Sequence, residues 1–135
     1  MIGLDTNVLL RFFAQDDQKQ SPIADTVMAS FTQDEPGWVG MATVLEFVWA
    51  MSSKMRIAKP IVCSALDRLL MLKSVVVEQD GILASAIQQF RSSRADFGDC
   101  VIIASAKAAG CSKTVTFDKV AARDLGMELL GSQCE

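Results

Sequence analysis

Short apolar runs alternate with amphipathic stretches along the whole chain, and this alternation limits the fold more than any other feature. Met1-Ile2-Gly3-Leu4 is apolar and stops at Asp5, as a buried strand does. Gly37-Trp38-Val39-Gly40 follows the turn-forming Asp34-Glu35-Pro36, and Ser74-Val75-Val76-Val77 carries three consecutive β-branched residues. Thr114-Val115-Thr116-Phe117 and Met127-Glu128-Leu129-Leu130 bring the expected strands to five. Between them, residues 43–54, 61–72 and 81–92 repeat apolar side chains at i, i+3 and i+4, the spacing of one helix face. An early helix holds Leu9 and Leu10. Another runs from Pro22 to Gln33 with Ser21 as its cap, and one from Phe97 to Ala109 closes at Gly110. Strands alternating with helices build βαβ units. Strands without polar alternation belong in a sheet covered on both faces. The expected fold is a three-layer α/β/α domain, residues 1–135, around a central, mainly parallel five-stranded sheet.

Composition agrees and removes several chemistries. Half of the 135 residues are apolar and 21% are charged, which suits one globular domain with a sizeable core. There is no histidine. That excludes a Ser-His-Asp triad, a His general base and any His-ligated zinc site. Cys63, Cys100, Cys111 and Cys134 stand 37, 11 and 23 positions apart, too far for the paired ligands of structural zinc. Cys100, within Cys100-Val101-Ile102-Ile103-Ala104, reads as a small core residue. Met1 to Asp5 lacks a basic leader, and no apolar run approaches the ~20 residues that span a bilayer. The expectation is a cytoplasmic domain without a membrane segment.

Chemistry then falls to carboxylates. In parallel sheets ligands bind beyond the carboxyl ends of strands. Asp5 follows the first expected strand and Asp118 the fourth. Asp96 and Asp99 stand three apart at a helix start, and Glu46 sits early in another helix. Each has a plain structural explanation. Asp5, Asp96 and Asp118 can be N-caps, Asp99 can complement a helix dipole, and Thr43-x-x-Glu46 fits a capping box. Jointly they say more, because two like charges at about 4 Å repel by about 4 kcal/mol at an effective dielectric near 20. Converging carboxylates need protons or a divalent cation. An all-oxygen donor set favours Mg2+ or Mn2+, whose natural chemistry is phosphodiester hydrolysis.

The same motifs resemble the PIN-domain nucleases, and among them the VapC-like toxin ribonucleases of VapBC-type toxin–antitoxin pairs. Ile2-Gly3-Leu4-Asp5-Thr6-Asn7-Val8-Leu9-Leu10 is similar to the first family motif and Leu45-Glu46-Phe47-Val48-Trp49 to the second. Asp96-Phe97-Gly98-Asp99-Cys100-Val101-Ile102-Ile103-Ala104 resembles the third, and Thr116-Phe117-Asp118-Lys119 the fourth. The resemblance implies a catalytic metal site of Asp5, Glu46, Asp99 and Asp118, with Asp96 a further ligand. Thr6, Asn7 and Thr116 would orient the acids. It also implies Mg2+ or Mn2+ as cofactor, RNA as substrate, a VapB-like antitoxin as partner and a homodimer.

A net charge of −3 is unusual for an RNA-cutting protein, since phosphate contacts come from basic surfaces. Candidate contacts are local: Arg11, the Lys54, Arg56 and Lys59 stretch, and Arg91 with Arg94. With no Tyr, stacking platforms are limited to Trp38, Trp49 and seven Phe, most of them expected in the core. Arg11-Phe12-Phe13 places two adjacent aromatics on the early helix, where a partner groove can form. Two other readings stand beside the nuclease. One is a haloacid-dehalogenase-like phosphatase, which also sets an Asp after its first strand but usually a second Asp where this chain has Asn7. The other is a non-catalytic interaction module whose acids only cap helices.

Overall fold

The computed structural model describes residues 1–131. Cys134 lies outside them. The chain divides into two compact units, Met1–Gln79 and Asp80–Glu135.

The first unit begins with strand β1 (Ile2–Gly3), helix α1 (Thr6–Ala14) and helix α2 (Gln20–Ser30). Strand β2 (Gly37–Val39) leads into helix α3 (Met41–Trp49), which continues as a π-helical turn over Ala50–Lys54. Helix α4 (Lys59–Met71) and strand β3 (Val75–Val77) complete the unit. The strands pair in the order β1-β2-β3, both pairings parallel, with Ile2 opposite Gly37 and Trp38 opposite Val76. Gly37 is required there: a Cβ at this position would lie 2.7 Å from the Phe31 ring, which is itself buried. The core takes Leu9 and Leu10 from α1, Val44, Phe47 and Val48 from α3, and Val62, Leu66 and Leu69 from α4.

The second unit holds helix α5 (Asp80–Ser92), helix α6 (Phe97–Ala108), strand β4 (Val115–Thr116), helix α7 (Lys119–Leu125) and strand β5 (Glu128–Leu129). Helices α5 and α6 pack on each other through Leu83, Ala86, Ile87 and Phe90 against Phe97, Cys100, Val101 and Ile103. The Phe90 and Phe97 rings meet edge-on with centroids 5.3 Å apart. Strands β4 and β5 pair in parallel. Cys100 is fully buried, as its apolar run implies. Gly110 follows α6 at φ +90, the left-handed residue that closes a helix.

The α/β class with parallel strands agrees with the sequence reading, and all five expected strands form. They are grouped as a three-stranded and a two-stranded ladder, whereas one five-stranded sheet was expected. Three helix boundaries also differ. Helix α2 starts at Gln20 because the Asp17 carboxylate accepts from the amides of Gln20 (2.7 Å) and Lys19 (2.9 Å). These bonds hold Asp17 below the usual carboxylate range. The Ser21 hydroxyl instead donates to the Arg11 carbonyl, at 2.8 Å. Helix α3 starts at Met41, since Glu78 accepts from the Met41 amide at 2.9 Å, and Gly40 is its N-cap. Its last turn is π-helical, with the Met55 amide bonded to the Ala50 carbonyl. No helix of the described residues is long and apolar enough to cross a membrane.

Candidate functional site

In the first unit the two candidate acids meet at one residue. Asp5 is the N-cap of α1 and accepts from the Thr6 amide at 2.8 Å, which leaves its second oxygen without a partner among the described residues. The Thr6 hydroxyl donates to Glu46 Oε2 at 3.4 Å. Thr6 is buried, whereas Asp5 and Glu46 are exposed. The capping-box reading of Glu46 therefore fails. Thr43 lies inside α3, two residues past its start, and the carboxylate is held across 40 residues by Thr6. Asn7 is exposed and makes no hydrogen bond to either acid among the described residues. It lines a groove of about 310 Å3 between α1 and α2 with Val8, Arg11, Ile23, Ala24 and Val27.

In the second unit Asp99 feels the charges of two other aspartates, Asp96 and Asp118. Asp96 occupies the N-cap position of α6 but makes no side-chain cap bond, and Asp99 follows in the first turn. Burial, then the Asp96 and Asp118 charges, push the Asp99 carboxyl above the usual carboxylate range. Asp118 caps α7 by accepting from the Ala121 amide at 2.9 Å, through one oxygen only among the described residues. The Thr116 hydroxyl accepts from the Asp118 backbone amide at 3.0 Å, so it fixes the backbone that carries this acid, not the carboxylate itself.

Ion pairing alone does not set these acids apart, since Asp25, Asp34, Glu78 and Asp80 also lack a cationic partner among the described residues. Glu35, Asp16, Asp124 and Glu128 each have a cationic partner. Asp5, Glu46, Asp96, Asp99 and Asp118 have none among the described residues. An all-oxygen set left unneutralised suits a hard divalent cation. Within neither unit, among the described residues, do three His, Cys, Asp or Glu side chains form a group placed to hold a metal ion.

The basic candidates divide as well. Arg11 is engaged, donating from Nε to Gln20 Oε1 at 2.8 Å and pairing with Asp16 at 3.2 Å. The Arg94 amide donates to Asp124 Oδ2 at 2.9 Å, and its charge also acts on Asp124. Lys54 and Arg56 are exposed and have no partner among the described residues. Phe13 does not open a groove: its ring lies 5.6 Å from Phe47, and the Arg68 guanidinium sits 5.1 Å above it. The groove on α1 belongs to the Val8 and Arg11 side. Two positioning residues have no local signature in the sequence, Glu78 at the start of α3 and Asp124 beneath the turn into α6.

Among solved structures, VapC20 from Mycobacterium tuberculosis, a Sarcin-Ricin loop cleaving toxin, is 16% identical over 91% of this chain and 94% of its own, with a TM-score of 0.44. A toxin–antitoxin complex from Klebsiella pneumoniae is 13% identical over 90% of each chain, with a TM-score of 0.36. A comparison with curated proteins matched none. The PIN domain profile matches residues 2–124, a span that contains Asp5, Glu46, Asp96, Asp99 and Asp118. On that match, which takes in most of its length, the chain belongs to the PIN domain family.

Proposed function

We propose that this chain is a divalent-metal-dependent endoribonuclease and the toxin of a type II toxin–antitoxin pair. The observation that carries the reading is the arrangement of the motif acids: Thr6 holds both Asp5 and Glu46, and the Asp99 carboxyl is raised by burial and by the Asp96 and Asp118 charges. Asp5 and Glu46 from the first unit, with Asp99 and Asp118 from the second, would hold Mg2+ or Mn2+, and Asp96 would assist. That set comes from the sequence resemblance, and the chemistry of its donors supports it. When bound, such a cation activates water and steadies charge on a phosphoryl group.

The chain's own residues prepare for that role. Thr6 fixes one oxygen of Asp5 through its amide and one of Glu46 through its hydroxyl, so two acids share one buried anchor. Thr116 fixes the Asp118 backbone, and the Ala121 amide fixes one oxygen of its carboxylate. Asp96 and Asp118 raise the cost of a charged Asp99, a cost that a cation would reverse. The resemblance further supplies an antitoxin and a second copy of the chain as partners. The apolar groove between α1 and α2 is a candidate face for the antitoxin, with Val8, Ile23, Ala24 and Val27 on its walls.

The test is cleavage of RNA by purified protein. Mg2+ or Mn2+ should support it, and EDTA should stop it. Asp5→Asn should abolish it while the domain still melts cooperatively. Cleavage that persists in EDTA sinks the mechanism. A covalent phosphate on Asp5 would point to the phosphatase instead, and a melting temperature indifferent to Mn2+ would point to a non-catalytic module.

A further inference from the structure

Of the two Trp and seven Phe in the chain, only Trp49 and Phe117 are exposed. Trp49 is the sharper anomaly. An indole is among the largest apolar surfaces a protein can bury, yet this one is 59% exposed and has no hydrogen-bond acceptor among the described residues. It is the last residue of α3, three positions after Glu46. Residues so spaced are neighbours on a helix surface, about 5–6 Å apart at Cβ.

The chain beyond Trp49 is unusual too. The π turn buries Ala50 and Met51 and carries Lys54 at its end. Arg56 then adopts φ +54, a left-handed conformation that side-chain-bearing residues rarely take. The Met55 amide to Ala50 carbonyl (2.9 Å) and Ile57 amide to Met51 carbonyl (2.8 Å) bonds hold it there. Lys54 and Arg56 are exposed and unpaired among the described residues. A bare aromatic face followed by two unneutralised cations matches one ligand chemistry closely. The face suits a nucleobase and the cations suit the phosphates beside it. Base faces are accessible only where a strand is unpaired.

We propose that Trp49 stacks an unpaired base of the RNA substrate while Lys54 and Arg56 contact the neighbouring phosphates. The proposal rests on the ribonuclease reading. It adds which residues outside the acidic motifs take the RNA.

The experiment measures binding, separately from cleavage. A labelled single-stranded oligoribonucleotide and a blunt duplex of the same sequence are titrated into the full chain carrying Asp99→Asn, which leaves the RNA intact. Adding Trp49→Leu, which keeps apolar bulk and a good helix former, should weaken single-strand binding about tenfold. Duplex affinity should stay unchanged, and Trp49→Phe should restore most of the loss. Lys54→Gln and Arg56→Gln should each flatten the salt dependence of single-strand binding by about 0.7 in log–log slope. Unchanged single-strand affinity in Trp49→Leu overturns the proposal. So does an equal loss on the duplex, or an effect confined to self-association in sedimentation, which would assign Trp49 to an interface between copies. Failure of the ribonuclease reading shows itself elsewhere, as absent Mn2+-dependent cleavage by the wild-type chain.

Discussion

The two units hold their acids in opposite ways. In the first, Asp5 and Glu46 are organised by a shared donor, and Thr6 stands between them with an amide for one and a hydroxyl for the other. In the second, Asp99 is set against Asp96 and Asp118, and its carboxyl is pushed upward by burial and by both charges. Thr6 settles rotamers in advance, a preorganising device. The Asp99 arrangement has no hydrogen-bond donor on Asp99 among the described residues and is relieved by a proton or by a cation. The first unit contributes fixed geometry, and the second contributes a charge repulsion that is a driving force for cation binding.

The largest effect should come from removing that driving force. Asp99→Asn should lower metal-dependent cleavage by on the order of a hundredfold or more. It should leave the metal-free protein as stable as wild type or more so, because it removes like-charge repulsion. Mn2+ should raise the wild-type melting temperature and leave that of Asp99→Asn nearly unmoved. A variant that melts lower without metal would break the contrast, since Asp99 would then be a structural residue.

A smaller loss should follow from Thr6→Val, which keeps the shape and removes the hydroxyl. Loss of a hydrogen bond behind a ligand typically costs tenfold to a hundredfold in metal affinity or activity. A single neutral hydrogen bond contributes about 1 kcal/mol to stability. The affinity for Mn2+, read from the concentration dependence of the melting temperature, should drop while saturating Mn2+ recovers part of the rate. Recovery separates a lost anchor from a lost ligand, because Glu46→Gln should not be rescued in this way.

The strands were legible because their signals are local: Val75-Val76-Val77 has few other readings, and β1 and β2 are bounded by Asp5 and by Asp34-Glu35-Pro36. The N-cap positions of Asp5, Asp96 and Asp118 were legible for a related reason, since each falls at a strand end or helix start that the same pattern marks. Glu46, by contrast, sits mid-helix in α3. What escaped depends on distant contacts. Thr43-x-x-Glu46 satisfies the local rule for a capping box, but Glu78, 37 residues from Met41, takes the amide that starts α3. Ser21 looks like a cap until Asp17 reaches the Lys19 and Gln20 amides. Arg11 reads as a free cation until Asp16 and Gln20 fold back on it. The π turn was illegible for another reason. Over five residues, i→i+5 and i→i+4 bonding ask for nearly the same apolar spacing.

The smallest expected effect concerns how the second unit holds its crowded helix start. Asp124 accepts from Arg123 Nε and from the Arg94 amide, both at 2.9 Å, so the turn into α6 is pinned by an anion. The Arg123 side-chain bond first, then the Arg94 amide, holds its carboxyl below the ordinary value of 3.8. A depressed folded value means the unfolded chain takes up the proton first as pH falls. The stabilising contribution is therefore fully present above pH ~3.8 and disappears as pH drops through the lowered folded value. Asp124→Asn should melt slightly below wild type at neutral pH, and the gap should close in acid. Melting curves from pH 7 to pH 2 read this directly. A gap of constant size would mean that the amide geometry, not the charge, pins the turn. A gap that closes would show that the Asp124 charge, held by Arg123 and the Arg94 amide, pins the turn into α6.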